Sequence, residues 1–204
     1  MPALSVLKAR IASELHRTDL TDDIAYAIAD AVAHYKTRRF RFNQVRDSFN
    51  VSQGVEYYGA SVIPSDILQI DVLSITVNGR KYVLREWSFE TMERIASTTN
   101  TYGQPTAWAW YDDEIRFYPV PDATYTVSIA YHQSLGVPST DGASNAWTNE
   151  AEELIRNAAK RRLCIGKLRD PEGAQLAGTY EAEALERLRK EARMVDTGTL
   201  KANS

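Results

Sequence analysis

Residues 67–84 read ILQIDVLSITVNGRKYVL, and this stretch decides the fold class. Residues 67–77 are rich in Ile, Leu and Val, which favours a β-strand. Asn78-Gly79 follows, and this dipeptide is the strongest short-range signal for a β-hairpin. Residues 81–84 then supply the return strand. The stretch therefore predicts an antiparallel hairpin in the middle of the chain.

Further strands are expected on the C-terminal side of this hairpin. Residues 107–120 read AWAWYDDEIRFYPV, which indicates a second hairpin that turns at Asp112-Asp113. Residues 125–132 alternate apolar and polar side chains, as a half-buried strand does. Between the two hairpins, Ser88 is placed to cap a short helix over residues 89–96.

Helical periodicity replaces alternation at both ends of the chain. Residues 4–16 and 21–39 place apolar side chains at spacings of three and four, which is typical of amphipathic helices. Asn149 and Glu152 have the spacing of a capping box, and Asp170-Pro171 predicts the start of the last helix. The residues of that helix expected to face inward are Leu176, Tyr180, Ala184, Leu185 and Leu188.

The order of helices, strands and helices predicts the α+β fold class rather than a wound parallel sheet. Residues 1–40 and 149–195 are expected to form a helical bundle. Residues 41–148 are expected to form an antiparallel β-rich lobe with one short helix. Residues 196–204 are polar and contain glycine, so we expect a flexible tail.

The composition is that of a soluble globular protein of 204 residues, with 44% hydrophobic and 25% charged side chains. The 24 basic and 27 acidic residues give a net charge of −3, so no large positive field holds nucleic acid by counterion release. The one cysteine excludes an internal disulfide and fits a reducing compartment. We expect neither a signal peptide nor a membrane span, because no apolar stretch approaches ~20 residues.

The sequence offers no motif for catalysis, for a cofactor or for a metal. His16, His34 and His132 do not form HxxxH or HExxH, and Cys164 has no second cysteine for a CxxC site. Cys164 lies in an apolar-periodic helix, which favours a buried, inert thiol. Glycine-rich phosphate loops and the GxSxG nucleophile elbow are absent from the sequence. We therefore predict that the chain is not an enzyme and uses no cofactor and no metal.

Two basic clusters each allow two interpretations. Residues 38–42 read RRFRF, which suits stacking of the phenyl rings on nucleic-acid bases. The other interpretation, favoured by the acidic total charge, is a strand start that turns the rings to the core and the arginines outward. Residues 160–162, Lys-Arg-Arg, either complement a helix dipole or form a salt-bridged subunit contact.

A set of motifs spread over residues 4–195 resembles the head-to-tail adaptor proteins of short-tailed bacteriophages. Each motif is weak alone, and their order and spacing together carry the resemblance. The motifs are the helical hairpin that ends in Tyr35 and RRF, Ile63-Pro64-Ser65-Asp66, Ser88-Phe89-Glu90, GQPTAW at 103–108, FYPVPD at 117–122 followed by Tyr125 and Tyr131, NAWT at 145–148, and Tyr180, Ala184, Leu185 and Leu188.

The resemblance implies a structural virion protein at the head–tail junction, made in the host cytoplasm. Copies of such adaptors form a homo-oligomeric ring, usually dodecameric, below the portal protein. The ring joins the DNA-filled head to a tail or nozzle protein. DNA passes through during ejection without specific binding, and no membrane is involved.

Two other functions stay open from the residues alone. One is a nucleic-acid-binding module based on residues 38–42. The other is a cell-wall hydrolase built on a pair of carboxylates that no motif marks. Binding of labelled duplex DNA and clearing of cell-wall suspensions distinguish these two from the adaptor.

Basic side chains and the C-terminal tail are the expected contacts with protein partners. The resemblance implies that the C-terminal helices dock on the portal, and the charged end of the last helix suits an acidic partner surface. The loop over residues 136–145 is a second candidate, because polar loops often become ordered on binding. The predicted partner-binding residues are Arg38, Arg39, Arg161, Arg162, Arg189, Lys190, Arg193, Leu200 and Lys201.

Overall fold

The computed structural model of the chain describes residues 2–98 and 101–196. Its α-helices are α1 (Leu4–Glu14), α2 (Thr21–Tyr35), α3 (Phe89–Ala96), α4 (Ala146–Asn149), α5 (Glu152–Leu163) and α6 (Pro171–Asp196). A 3₁₀ turn, Arg41–Asn43, follows α2, and a π-helical turn, Cys164–Leu168, links α5 to α6. No helix in these described ranges is long and apolar enough to cross a lipid bilayer.

The strands in the described ranges are β1 (Gln44–Val51), β2 (Tyr57–Tyr58), β3 (Ile67–Val77), β4 (Arg80–Val83), β5 (Arg85–Glu86), β6 (Tyr102–Gly103), β7 (Ala107–Tyr111), β8 (Glu114–Tyr118), β9 (Val120–Pro121) and β10 (Tyr125–Gln133). One antiparallel sheet has the order β1, β10, β3, β4. A second sheet has the order β2, β8, β7, β5, in which β5 is parallel to β7. β6 and β9 pair in parallel. Helices at the ends and mainly antiparallel strands between them confirm the α+β prediction.

The chain divides into two compact units. Among the described residues, those up to Asn43 and from Ser134 form the helical unit, and those between Gln44 and Gln133 form the β unit. The sequence placed these boundaries at residues 40/41 and 148/149. The segment before α4 lies in the helical unit because Leu135 packs against that core, and its carbonyl accepts a hydrogen bond from Trp147 Nε1 at 2.9 Å.

The core of the helical unit is built around α5, which contacts α1, α2, α4 and α6. Trp147 is 1% exposed and packs edge-on against the rings of Phe40 and Phe42, with centroids 5.8 Å and 5.1 Å away. Full burial of a large apolar side chain contributes roughly 1.5–3 kcal/mol. These aromatic rings therefore hold the segment after α2 against α4.

The capping box that starts the C-terminal helices lies earlier than the sequence predicted. Asn145 Oδ1 accepts from the Trp147 amide at 3.0 Å, and Thr148 Oγ1 accepts from the Asn145 amide at 3.1 Å. The predicted pair, Asn149 and Glu152, is therefore wrong as the capping box. In a capping box, the side chain three residues after the cap usually is Glu or Gln and accepts a hydrogen bond from the cap's backbone amide. The Thr148 hydroxyl takes that role for Asn145, one turn before the predicted pair.

Both predicted hairpins are confirmed in the β unit. β3 and β4 join through Asn78-Gly79, whose φ angles are 50° and 74°. β7 and β8 join through Asp112-Asp113, whose φ angles are 52° and 58°. Two positive φ values in a two-residue loop match the twist of the flanking strands. The buried core of this unit includes Phe49, Val51, Leu73, Ile75, Trp108, Ile115, Phe117, Val127 and Ile129.

Candidate assembly surfaces

The RRFRF segment uses its phenyl rings in the core of the helical unit. Phe40 is 2% exposed, and the partly buried Phe42 stacks on it with ring centroids 5.0 Å apart. The segment enters a 3₁₀ turn, stabilised by Asn43 Oδ1, which accepts from the Phe40 amide at 2.9 Å. The predicted strand start is therefore wrong, because the rings find their apolar partners among helices rather than in a sheet.

The two predicted contact residues at this end of α2 have different surroundings. The Arg38 guanidinium lies 5.1 Å from the centre of the Tyr35 ring, which is a cation–π contact. Arg39 is exposed. The outward position of the arginines is compatible with a partner contact, and that role stays a prediction.

Arg161 belongs to a buried polar cluster that joins three helices. Its Nε lies 2.5 Å from Glu181 Oε2, and the Tyr35 hydroxyl donates to Glu181 Oε1 at 2.5 Å. Glu181 is 5% exposed and Tyr35 is 3% exposed. The carboxylate of α6 therefore receives hydrogen bonds from both α2 and α5.

The charge state of this cluster follows from its contacts. Burial alone would raise the pKa of Glu181, but the hydrogen bonds from Arg161 and Tyr35 outweigh it and hold the pKa below its usual value. Burial, together with the neighbouring Glu181 carboxylate, raises the pKa of Tyr35 to about 12. At neutral pH the cluster is an ionised carboxylate between a guanidinium and a neutral phenol. The guanidinium of Arg161 is thus engaged within the chain.

Arg162 lines an open groove between α2 and the end of α5. The groove has a volume of about 290 Å³, and Asp23 and Lys167, which lie 3.0 Å apart as an ion pair, form part of its wall. Arg162 Nη1 donates to the Ala158 carbonyl at 3.2 Å. Tyr26, also on the wall, is 72% exposed. A tyrosine this exposed on a helix offers apolar surface to a partner.

The C-terminal end of α6 carries the remaining predicted contacts. Arg189 Nη1 lies 2.7 Å from Glu186 Oε1, and Lys190 is exposed. Exposed pairs of this kind contribute little to stability, so these side chains are available to a partner. Three predicted contacts lie outside the described side chains: Arg193, Leu200 and Lys201. Of the predicted flexible tail, residues 196–204, Asp196 is the last residue of α6, which corrects the predicted boundary, and the remainder lies outside the described residues.

The outer face of α6 differs from the predicted one. Leu176 is 58% exposed and Tyr180 is 44% exposed, so the prediction that both face inward is wrong. Residues four apart are rotated by about 40° around a helix axis, so residues 176, 180 and 184 do not share one face. The residues that do face inward alternate spacings of three and four, and this signal was present in the sequence: Ala174, Ala177, Glu181, Ala184 and Leu188.

An apolar notch opens between α1 and α2. Its volume is about 180 Å³, and Ala9, Ala12 and Ile24 line it together with Lys8 and Thr21. The lining is almost entirely apolar. A space of this size and chemistry accommodates a leucyl or ring-sized group, as an engineered apolar cavity of ~150 Å³ accommodates benzene.

A shallow trough of about 550 Å³ lies on one face of the β1, β10, β3, β4 sheet. Ser48, Ser128 and Ser74 stand in register across three strands and line it. Arg46 and Lys81 lie on the two edge strands. Because serine side chains are short and polar, the centre of this face is a shallow polar depression.

The β unit also holds a buried arginine. Arg116 is 5% exposed and forms ion pairs with Glu56 and Glu93. Its guanidinium carbon lies 5.2 Å from the centre of the Tyr57 ring and 5.9 Å from that of Phe89. This set joins β8 to α3 and to the β2 segment, so its role is structural.

Of the residues considered for chemistry, Cys164 lies in the helical unit and His132 in the β unit. Cys164 is 3% exposed, and burial raises the pKa of its thiol, which confirms a buried thiol. His132 Nδ1 lies 2.8 Å from Asp71 Oδ2 in the β unit. Within residues 2–98 and 101–196 there is no group of three or more His, Cys, Asp or Glu side chains that could hold a metal ion.

A comparison with protein-family models gives a match over nearly the whole chain. The model of a protein family described as SU10 adaptor protein matches residues 2–201 of the chain. A search of curated proteins gave no match. The family match extends over nearly the whole chain and includes both units.

Proposed function

The chain belongs to the SU10 adaptor protein family, and on this basis we propose that it is the head-to-tail adaptor of a short-tailed phage. Copies form a ring, usually dodecameric in such adaptors, below the portal. The ring closes the DNA-filled head and provides the platform for the tail or nozzle protein. DNA leaves through the ring during ejection without specific binding. The protein acts by assembly and not by catalysis.

Family membership over nearly the whole chain is the observation that carries this proposal. The construction of the two units supports it. Each unit has its own buried core, so a free copy is folded before it meets a partner. The helical unit nevertheless leaves large apolar side chains exposed, namely Tyr26, Leu176 and Tyr180. Leu176 and Tyr180 are one turn apart on α6, and neighbouring exposed apolar side chains of this kind are typical of a surface that binds another protein.

We place the portal contact at the C-terminal end of α6 and the residues that follow it. Arg187, Arg189 and Lys190 are exposed there, and Arg187 and Arg189 each pair with a partly exposed glutamate at 2.7 Å. Surface pairs of this kind are easily exchanged for pairs with a partner. The basic helix end therefore suits an acidic portal surface, with Arg193, Leu200 and Lys201 as further contacts.

The test of this placement is sedimentation of the protein with purified portal rings. The full chain is expected to sediment with the portal, and deletion of residues 195–204 is expected to weaken that attachment while circular dichroism stays unchanged. A truncated protein that binds portal rings with unchanged affinity overturns the placement and leaves the family role intact. A full chain that never sediments with portal rings contradicts the adaptor role.

The adaptor role also predicts weak interaction with DNA. Labelled duplex DNA is expected to bind weakly, because the net charge is −3 and the rings of residues 38–42 are packed against the helical core. Tight binding with a steep salt dependence, abolished by Arg38→Ala together with Arg39→Ala, would defeat this interpretation in favour of a nucleic-acid-binding module.

A further inference from the structure

The helical unit carries an apolar projection and an apolar recess on different helices. The projection is the pair Leu176 and Tyr180, which lie one turn apart on α6 and are 58% and 44% exposed. The recess is the notch of about 180 Å³ between α1 and α2, lined by Ala9, Ala12 and Ile24. Neither feature is covered by a described part of the helical unit.

We propose that Leu176 of one copy inserts into the α1/α2 notch of a second copy, with Tyr180 packed over the edge of the notch, and that this contact repeats around the ring. The proposal rests on the ring of the proposed function and identifies the surfaces that close it. A contact between two different surfaces of the same chain is heterologous, so each copy keeps one free projection and one free notch. Such contacts close into a ring when the rotation between copies fits.

Size and chemistry match on the two sides. The notch has an almost entirely apolar lining, so a polar side chain that entered it would lose its hydration without a partner. A leucyl or tyrosyl group fits a volume of this order. Tyrosine also suits an interface because its ring buries a large apolar area while its hydroxyl reaches the edge.

Acidic side chains flank the projection, and a lysine that belongs to a surface ion pair flanks the recess. Glu172 lies one turn before Leu176, and Glu183 lies three residues after Tyr180; both are exposed. Lys8 lines the notch, and its Nζ is 2.6 Å from Asp141, which is itself largely exposed. Exposed ion pairs contribute little to stability, so Glu172 or Glu183 of one copy can replace Asp141 as the partner of Lys8 on the next copy, and this exchange favours one orientation of the two copies.

The anchoring of the helices keeps the two surfaces separate within one copy. Glu14 of α1 pairs with Arg156 and Lys160 of α5, at 3.1 Å and 2.6 Å. Glu181 of α6 pairs with Arg161, the residue that follows Lys160 on α5. Successive residues on a helix point about 100° apart, so α1 and α6 occupy different sides of α5. The notch and the projection are therefore free to serve two different neighbours.

Disulfide trapping between single-cysteine variants tests the proposal. Leu176→Cys and Ala9→Cys are made separately in a Cys164→Ala background, mixed at high protein concentration and oxidised. We expect a mixed disulfide in high yield and little homodimer of either variant, because the contact joins unlike surfaces. The matched control is Gln175→Cys, which is exposed next to Leu176 but points about 100° away. It is expected to cross-link to Ala9→Cys at least about fivefold less, since a disulfide needs Cα atoms within ~7 Å.

Each result of this experiment decides the proposal. If Leu176→Cys forms homodimers in the same yield as the mixed disulfide, the contact is two-fold and the proposal is overturned. The proposal is also overturned if Gln175→Cys cross-links to Ala9→Cys as well as Leu176→Cys does. The absence of a mixed disulfide also overturns the proposed contact. Sedimentation of the same samples measures the oligomer size, which shows whether the adaptor role fails together with this contact. Rings that persist without the disulfide leave the adaptor role standing with other surfaces. In support, Tyr180→Ala is expected to weaken self-association at least about tenfold with an unchanged circular dichroism spectrum.

Discussion

Replacing Glu181 by glutamine removes the central charge of the cluster that joins α2, α5 and α6. Glutamine has nearly the same shape, so the surrounding packing is retained. Its amide oxygen can still accept from the Tyr35 hydroxyl, now 2.5 Å from Glu181 Oε1. Its amide NH₂ group, however, cannot accept from Arg161, whose Nε lies 2.5 Å from Oε2. The variant therefore loses one charge-assisted hydrogen bond and weakens the other.

The expected cost follows from the exposure of the three side chains. A hydrogen bond to a charged group contributes about 1.5–3 kcal/mol, more than one between neutral groups. Tyr35 and Glu181 are almost fully buried, so water does not replace what is lost there. The Arg161 side chain is 36% exposed and regains part of its hydration, which reduces the cost. We expect Glu181→Gln to lower the free energy of unfolding by about 2 kcal/mol at neutral pH.

The assay is urea unfolding followed by the helical circular dichroism signal. Glu191→Gln is the matched control, because Glu191 is an exposed glutamate on the same helix, and it is expected to change stability by less than about 0.5 kcal/mol. The pKa of Glu181 is lowered by folding, so its stabilising contribution is present above the ordinary value of 4.5 and is lost as pH falls through the lower folded-state value. The difference between wild type and Glu181→Gln should therefore shrink below about pH 4.5. Equal stabilities at neutral pH, or a difference independent of pH, would refute the reasoning.

Three other predictions concern single residues. Gly79→Ala should lower the free energy of unfolding by about 1 kcal/mol, because the φ angle of Gly79 is 74°. The control is Gly142→Ala, which should not change stability in the same urea assay, because Gly142 has no positive φ angle and no atom within 4 Å of the added Cβ. Burial raises the pKa values of Tyr35 and Tyr131 to about 12, so the absorbance change of tyrosinate at the alkaline end of a titration should decrease by one tyrosine in Tyr35→Phe and by one in Tyr131→Phe. Because both values are raised, the stability these phenols contribute is complete below pH 10 and is lost as pH rises toward 12. Cys164 should react with a thiol reagent far more slowly in the native protein than in urea, and equal rates would show that it is not buried.

Local signals in the sequence were sufficient where the structure is decided by neighbouring residues. Asn78-Gly79 and Asp112-Asp113 adopt the positive φ values that two-residue hairpins require, whatever packs around them. Asp170 caps α6 as predicted, since its Oδ1 accepts from the Gly173 amide at 2.9 Å. These elements depend on backbone geometry within a few residues, which the sequence displays directly.

Features that depend on distant partners were not predictable in the same way. The inward face of α6 is mostly alanine, and its centre is Glu181, which is buried only because Arg161 and Tyr35 meet it. A hydrophobicity pattern therefore favoured the larger Leu176 and Tyr180, which point outward. The alternation of the RRFRF segment is typical of a strand, but it does not reveal whether a sheet or a helical core receives the phenyl rings. The candidate surfaces thus emerged from the structure, whereas the family resemblance emerged from the order of the motifs.

Electron microscopy of the protein mixed with purified portal rings tests the adaptor role most directly. The proposal predicts a continuous ring of additional density below the portal, with one copy of the chain for each repeat and a central channel. The same ring should be absent when the portal is imaged alone. Portal rings that stay bare at saturating protein concentration would contradict the proposal, as would density bound without rotational symmetry.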